Sequence, residues 1–326
     1  MTSKDKELIL KFSNDIPFGT KLDFLLCRDK RNRDFIKFYK ELKKITDRFD
    51  IRFIQNKKNN LPCIQIGSNI WFYAIPLDQE IKPFMDAITL SLSDKQYPSY
   101  GDRLKKITME AHLKIFIAQQ CHFCPSVLAQ IIPLVIACNK FIRLEIFDAM
   151  LFNEIADIYK VKSVPILFLD ETFKWVGKIN IDDIIQLIID RDSDDPTELY
   201  LESLIQSNNA YKIADIVIEK NKIFSSFINL LIHDKWPIRL GAMVAFEYLA
   251  EKSPMISQKF LNPLWELFPK LDKQIKGDII SIFGMIEGTC SIDKLNIILN
   301  TEDDSELRES AEETINLLIE KGSKNG

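Results

Sequence analysis

Two cysteines separated by two residues, in Cys121-His122-Phe123-Cys124, form the most reactive pattern in the sequence. A run rich in apolar and β-favouring residues, 113–118, precedes them, and Pro125 opens a segment that reads as a helix. Unpaired N–H groups and the dipole at a helix start favour the thiolate, which is the attacking form of cysteine. The pattern therefore predicts a redox dithiol, in which Cys124 lies about one turn from a reactive Cys121 and can displace a mixed disulfide.

The same spacing has two other interpretations, half of a zinc site or a pair of inert buried cysteines. Zinc takes four ligands in structural sites, and the sequence contains no second C-x-x-C and no H-x-x-H. His112 and His122 do not form a recognisable second pair of ligands. We prefer the redox dithiol and expect no metal, while both alternatives stay open at this stage.

Composition excludes several classes of function. The chain has 326 residues, of which 46% are hydrophobic and 28% charged, with a net charge of −4. That balance is typical of soluble globular proteins and has no basic excess, so we expect no nucleic-acid partner. No run of 18 apolar residues and no signal-peptide pattern occurs, so we expect no membrane partner. The six cysteines are irregularly spaced, which favours a reducing compartment, and we expect a cytoplasmic protein.

The first hundred residues read as an α/β unit, and a similar unit follows. The elements predicted for the first unit are strands at 6–13 and 22–27, a helix at 31–46, a strand at 51–55, a hairpin of 61–66 and 69–73, and a helix at 77–92. In the second unit, 153–159 reads as an additional short helix. Alternating apolar residues indicate the strands, and a 3.6-residue period indicates the helices.

The second unit is an internal repeat of the first. LDFLLC at 22–27 lies over LKIFIA at 113–118 with an offset of 91, and LPCIQI at 61–66 lies over VPILFL at 164–169 with an offset of 103. At the position of the two cysteines the first copy has Lys30-Arg31-Asn32-Arg33. The first copy is therefore expected to repeat the scaffold without the dithiol.

The order of strand, C-x-x-C, helix, strand, helix, X-Pro, hairpin, glycine and helix resembles the thioredoxin fold. Pro165, 44 residues after Cys121, lies in Val164-Pro165, which matches the cis-proline loop of that family, and Gly177 matches the glycine of its last strand. Two such units in tandem, with a dithiol only in the second, resemble the N-terminal domain of the alkyl hydroperoxide reductase flavoprotein. They are also similar to archaeal glutaredoxin-like protein disulfide oxidoreductases.

The resemblance implies a role for each residue of the site. Cys121 would be the nucleophile and Cys124 the resolving cysteine. Val164-Pro165 would present its backbone to an extended client segment, which pairs with it in short β-type hydrogen bonds. Phe123 would be an apolar rim for docking. A protonated His122 would stabilise the neighbouring thiolate, and the alternative is an exposed loop histidine with little effect.

The sequence departs from its relatives in two ways. Thioredoxins carry a buried acid in the strand before the motif, and 114–118 contains none. Asp78 or Glu80, at the start of the last helix of the first unit, is a candidate proton acceptor from across the boundary between the units, although both also suit an ordinary first helical turn. No G-x-G-x-x-G occurs for a flavin, so we expect no cofactor and an external electron donor, either a protein or a small thiol.

The last third of the chain reads as helical after a polar linker at 190–196. The predicted helices are 198–207, 210–221, 225–233, 238–251, 257–269, 273–287, 291–299 and 304–321. Ile238-Arg239, Ile275-Lys276 and Leu307-Arg308 recur at offsets of 37 and 32, a period typical of α-solenoids. The pattern Asp-x-x-Pro-x-Arg at 234–239 resembles HEAT repeats.

The predicted fold class is α/β, with tandem thioredoxin-like folds followed by an all-α, HEAT-like solenoid. We expect a degenerate unit at 1–97, a C-x-x-C unit at 98–190 and a helical repeat domain at 191–326. The predicted function is thiol–disulfide oxidoreductase, acting on protein disulfides, with client choice aided by a protein-binding surface on the repeats. The alternative is a redox-sensitive scaffold protein with little turnover.

Overall fold

The computed structural model of the chain describes residues 1–56, 60–93, 100–191, 193–286 and 288–325. The chain divides into two compact units, Met1–Ile189 and Asp190–Gly326. The boundary predicted between residues 97 and 98 lies outside the described residues. The division of the first unit into two domains therefore remains a prediction.

The described part of the first unit is a mixed α/β structure. Its strands are β1 (Thr20–Leu26), β2 (Phe49–Gln55), β3 (Cys63–Ile66), β4 (Ile70–Tyr73), β5 (Ala111–Ile117), β6 (Ile142–Asp148), β7 (Ile166–Leu169) and β8 (Phe173–Val176). Its α-helices are α1 (Ser3–Ser13), α2 (Asn32–Ile45), α3 (Ile81–Ser91), α4 (Cys124–Ala137), α5 (Asn153–Ile158) and α6 (Ile181–Asp190).

The strands form one sheet in the order β2-β1-β3-β4-β6-β5-β7-β8. The first four and the last four strands follow the same order, and β4 joins the two halves by pairing parallel to β6. The internal repeat read from the sequence is therefore confirmed. Because β2, β1, β4, β6 and β5 run in the same direction, their carboxyl ends share one edge of the sheet, which is where α/β proteins commonly bind ligands.

Aromatic side chains hold the centre of the sheet together. Tyr73 of the first half stacks on Phe147 of the second, with ring centroids 4.2 Å apart. Phe152 meets both rings edge-on, and Phe116 packs on Phe147 from the neighbouring strand. Such pairs add to the hydrophobic contribution of burying the rings. The two halves therefore share one core at the edge where the candidate site lies.

One predicted strand is wrong, because residues 6–13 belong to helix α1. The apolar run Leu8-Ile9-Leu10 suggests a strand, but Thr2 and Asp5 form a reciprocal capping box that starts a helix. Asp5, Ile9 and Ser13 are the buried residues of this segment, and their spacing of four is helical rather than alternating.

The second unit is all-α in its described residues, as predicted. Its helices are α7 (Glu198–Gln206), α8 (Tyr211–Lys220), α9 (Ser225–Leu231), α10 (Trp236–Lys252), α11 (Pro254–Ser257), α12 (Leu261–Leu267), α13 (Lys273–Met285), α14 (Thr289–Thr301) and α15 (Ser305–Asn325). The single helix predicted at 257–269 is instead two short helices and two 3₁₀ turns, with Pro254, Pro263 and Pro269 in the segment.

In the second unit, α8 packs on α10, α10 on α13 and α13 on α15. Gly241 of α10 allows a close crossing, because a Cβ there would lie 2.2 Å from the side chain of Ile205. That the helices are HEAT repeats remains a prediction. In the described parts of the chain, no helix combines the length and the apolar character needed to cross a membrane.

Candidate redox site

The two cysteines lie between the end of β5 at Ile117 and the start of α4. A turn brings the chain round, since the N–H of Cys121 donates to the carbonyl oxygen of Ala118 at 2.9 Å. Cys121 and Cys124 are joined by a disulfide, with Cα atoms 5.5 Å apart. Cys124 is fully buried and Cys121 is half-buried, so Cys121 is the more accessible of the two residues.

The start of α4 provides the electrostatic environment of Cys121. The backbone N–H of Cys124 donates to Sγ of Cys121 at 3.1 Å. Pro125 occupies the first turn, where its missing N–H is not needed and its fixed φ suits a helix. In the dithiol form, this N–H group and the helix dipole would stabilise a Cys121 thiolate.

The loop of Val164 and Pro165 lies beside the disulfide. The peptide bond between them is cis, and the carbonyl oxygen of Val164 lies 3.7 Å from Sγ of Cys121. The loop is held from the other side, because the N–H of Gly177 donates to the carbonyl oxygen of Pro165 at 2.9 Å. Gly177 has φ of +77°, a left-handed conformation that favours glycine.

His122 and Phe123 are both exposed at the surface of the site, Phe123 to 71%. Nδ1 of His122 lies 3.1 Å from Nε2 of Gln79, which belongs to the first half of the sheet. Gln119, just before the cysteines, donates to the carbonyl oxygen of Ile75 at 3.5 Å. Two side-chain contacts therefore bring the segment after β4 to the dithiol loop.

Glu80, in that segment, is a carboxylic acid with unusual surroundings. It is 1% exposed, and neither carboxylate oxygen has a hydrogen-bond partner among the described residues. Burial raises its pKa to about 8, and the neighbouring carboxylate of Asp148 acts in the same direction. Asp78, the other acid considered, is exposed, and its N–H donates to Oδ1 of Asp5. Of the two acids that the sequence suggested, Glu80 is the buried one.

Asp148 and Met150 are candidate site residues that the sequence reasoning missed, since both line a cavity with Gln119. Asp148 ends β6 at 5% exposure, its Oδ1 accepts from the N–H groups of Met150 and Leu151, and burial raises its pKa. Met150 is 74% exposed. The available signal is their position, since they follow a buried strand at the edge where the parallel strands end.

A cavity of about 390 Å³ opens at this edge, and Gln119 forms part of its wall. Its lining is mostly apolar with several charged groups: Met1, Asp34, Lys37, Phe38, Glu41, Ile75, Leu77, Gln119, Asp148, Met150 and Leu151. A mostly apolar hollow with a few polar groups is typical of sites that bind small groups or side chains.

The other cysteines have different surroundings. Burial raises the pKa of Cys63 to about 12 and also raises the pKa of Cys138 and of the half-buried Cys27. Cys290 is exposed. Across the residues that the structure covers, no group of three or more His, Cys, Asp and Glu side chains lies close enough to hold a metal ion.

Residues 111–190 match a family model described as a thioredoxin domain. Among solved structures, the NTD_N/C domain of the alkylhydroperoxide reductase AhpF from Enterococcus faecalis is 20% identical, with a TM-score of 0.49, over 58% of this chain and 99% of that one. A protein disulfide oxidoreductase from Aeropyrum pernix is 15% identical, with a TM-score of 0.49, over 58% of this chain and 93% of that one. No curated protein matches the chain.

The family match covers the dithiol, the cis-proline loop and the glycine after β8. Together with the strand order of the sheet, it confirms a thioredoxin-like fold in the N-terminal unit, followed by an all-α unit. A thioredoxin-like fold with a bonded Cys121–Cys124 pair at a helix start supports a redox role for the chain.

Proposed function

We propose that the protein is a thiol–disulfide oxidoreductase that reduces protein disulfides through Cys121 and Cys124. One observation carries the proposal: the two sulfurs are bonded at the first turn of α4, and Sγ of Cys121 lies 3.7 Å from the carbonyl oxygen of Val164. This arrangement combines a nucleophile, a resolving thiol and a backbone edge for the client. We further propose a reducing compartment, the cytoplasm, where disulfides are substrates and not permanent staples.

The reaction starts from the reduced dithiol. The Cys121 thiolate attacks one sulfur of the client disulfide, so that a mixed disulfide forms and one client thiolate leaves. Cys124 then loses its proton and attacks Sγ of Cys121, which releases the second client thiolate. The client gains two electrons, and the protein ends in the Cys121–Cys124 disulfide. An external dithiol protein or small thiol returns the two electrons.

Glu80 is our candidate for the proton acceptor of Cys124. Cys124 is fully buried, so bulk water cannot take its proton directly. The pKa of Glu80, about 8, lies close to that of an ordinary thiol, which is the match that efficient proton transfer requires. Helix α3, which follows Glu80, packs against α4, which begins at Cys124.

The client would bind around the disulfide as an extended segment. Its backbone would pair with that of Val164 and Pro165, and Phe123 and Met150 would supply apolar contacts at either side. The cavity bordered by Gln119 offers space for a client side chain. His122, exposed and within 3.1 Å of Gln79, would stabilise the thiolate when protonated.

The test is reduction of insulin disulfides by the full-length chain with a range of thiol donors. Cys121→Ser should abolish turnover, a loss of at least about a thousandfold, because no other nucleophile replaces the sulfur. Cys124→Ser should accumulate the mixed disulfide, which mass spectrometry detects. Cys290→Ser, at an exposed cysteine outside the site, is the matched control and should retain full activity. Equal turnover by wild type and Cys121→Ser would refute the proposal.

A second candidate function is a redox-sensitive scaffold, and one feature of the helical unit supports the protein partner that such a scaffold requires. Trp236, Leu240 and Val244 follow one another at every fourth position of α10 and are 51%, 41% and 51% exposed. An apolar stripe of this kind fits a protein partner, whether a client of the enzyme or the target of a scaffold. Affinity capture with oxidised and reduced protein separates the two functions, since a scaffold requires a redox-dependent partner together with negligible turnover.

A further inference from the structure

Strand β2 forms an exposed edge of the sheet. Within the described residues it pairs with β1 alone, and Phe53 and Ile54 are 47% and 41% exposed. The edge of a sheet presents a row of backbone N–H and C=O groups that can pair with a further strand. This edge is therefore a surface to which an extended strand can add.

The edge has only part of the usual protection against such pairing, because charged side chains are present but lysine, proline and a bulge are not. Soluble proteins block exposed edges with charged side chains, above all lysine, with proline or with a bulge. β2 (Phe49–Gln55) contains neither lysine nor proline, and its register with β1 runs without interruption over all seven residues. Its charged residues are Asp50 and Arg52, which have opposite signs and lie on the same face of the sheet.

The spacing of these charges decides which partner fits. Two copies of a strand related by a two-fold axis pair antiparallel with one residue opposite itself, because the hydrogen-bonding side alternates along each strand. Registers centred on Ile51, Arg52 or Phe53 pair at least five residues of each copy. The register centred on Arg52 places the Arg52 side chains of the two copies opposite each other, so that like charges meet. Centring on Phe53 leaves Asp50 without an opposite residue in the strand.

Only the register centred on Ile51 is complementary in charge. It places Asp50 of each copy opposite Arg52 of the other, and Phe49 opposite Phe53, so that each favourable pair forms twice. Arg52 keeps its bidentate pair with Asp23 on β1, at 2.6 Å for both contacts, so the new carboxylate joins an existing ion pair.

We infer that β2 is a homodimer interface, in which the strands of two copies pair antiparallel around Ile51. The inference stands apart from the redox chemistry, since it uses none of the residues of the dithiol site. The dimer should be weak and salt-sensitive, because the ion pairs that select the register are exposed.

Cysteine cross-linking tests the register. In the full-length chain with Cys27, Cys121, Cys124 and Cys290 changed to serine, Ile51→Cys places its two copies about 4.5–5.5 Å apart between Cα atoms, within disulfide range. Mild oxidation should give a covalent dimer. Phe53→Cys is the matched control, because its two copies lie about 14 Å apart in this register and the variant should stay monomeric. Failure of Ile51→Cys to cross-link, or equal cross-linking by Phe53→Cys, would overturn the inference.

Charge exchange tests the complementarity. Sedimentation of the wild type should show a species of twice the 37.9-kDa chain mass that grows with concentration. Asp50→Lys and Arg52→Glu should each weaken the dimer about tenfold or more. An equimolar mixture of the two variants should regain the dimer, because the lysine introduced in one copy then faces the glutamate introduced in the other.

Two outcomes would contradict the inference: a wild type that stays monomeric at every concentration, or a mixture with no more dimer than either variant alone. Asp23→Asn is the control for the lost ion pair within the chain and should dimerise like the wild type. Circular dichroism checks that each variant is folded. The cross-linking result stands independently if one charge variant does not fold.

Discussion

The two halves of the sheet use the same structural position for different purposes. In the second half, the chain leaves β5, turns and starts α4 with the disulfide of Cys121 and Cys124. In the first half, the chain leaves β1 and starts α2 directly after Arg31. A helix start after a parallel strand is a place where charge and reactivity concentrate. One half has the disulfide there, and the other has an ion-pair cluster.

The cluster around Arg31 joins the halves. The Arg31 guanidinium donates twice to Asp29, lies 2.7 Å from Oε1 of Glu154 and donates to the carbonyl oxygen of Leu151. Its Cζ lies 4.1 Å from the ring centroid of Phe152. Its hydrogen bonds hold the pKa of Asp29 below its ordinary value. The first half therefore braces α5 of the second half from the position where the dithiol would otherwise be.

The loops that follow also differ. Val164–Pro165 is a cis peptide bond, whereas Leu61–Pro62, at the same place in the first half, is not among the cis bonds of the described residues. Gly177, with φ of +77°, ends the second hairpin, and Ala74 has that position in the first. The two halves therefore keep the same strand order, which the shared core requires, while their loops at the sheet edge differ.

The first half also supplies what the second half lacks. The strand before the dithiol carries no acid, and the buried Glu80 comes from the segment after β4. Three substitutions test these differences between the halves, and they follow in order of decreasing expected effect.

Glu80→Gln should have the largest effect on stability, and the effect should depend on pH. Burial raises the pKa of Glu80 in the folded state from its ordinary 4.5 to about 8, so the folded state binds a proton that the unfolded state releases. The stability of the wild type should therefore fall as the pH rises from about 4.5 to about 8. Glutamine removes this penalty, on the order of 4 kcal/mol above about pH 8.

Urea unfolding of the oxidised protein at about pH 5 and about pH 9 measures the effect. At the higher pH, the variant should be more stable than the wild type and should also lose disulfide-reducing activity. Substitution of a purely structural residue would not have both effects. A variant with the same free energy of unfolding as the wild type at both pH values would show that Glu80 does not ionise as expected.

Arg31→Met should destabilise the protein by about 2 to 3 kcal/mol, because it leaves Asp29 half-buried without its partner and opens the contact with α5. Thermal and urea unfolding measure the loss. Glu154→Gln is the matched control, since Glu154 has a 48% exposed side chain and its removal should cost less than about 1 kcal/mol. Equal losses of stability in both variants would contradict the prediction that Arg31 contributes more to the cluster than Glu154.

Gly177→Ala should cost about 1 to 2 kcal/mol, because alanine resists the left-handed conformation that lets the N–H of Gly177 reach the carbonyl oxygen of Pro165. The control is Gly277→Ala inside α13, where the new Cβ meets only Leu307 at 3.9 Å. That change should stabilise the chain by up to about 1 kcal/mol, since alanine favours helices. Shifts of the unfolding midpoint with opposite signs in the two variants would support the prediction. A Gly177→Ala variant with the midpoint of the wild type would contradict it.

The sequence by itself determined the features that depend on local spacing. Cys121 and Cys124 had to lie one turn apart at a helix start, and the run before them had to be a strand. The repeat offsets predicted the second sheet half, and the helical period predicted the all-α unit. These inferences hold because periodicity and helix-start chemistry act over a few residues.

Only the tertiary structure decided which distant groups meet. Glu80 could have been an ordinary exposed acid, and packing made it buried, with no hydrogen-bond partner for its carboxylate among the residues that the structure describes. Arg31 reaches Glu154 because β4 and β6 pair and bring the halves together. Residues 6–13 are helical because a cap at Thr2 outweighs an apolar run that suits a strand. In each case the free energy depends on burial and on contacts between remote segments, which local sequence patterns do not encode.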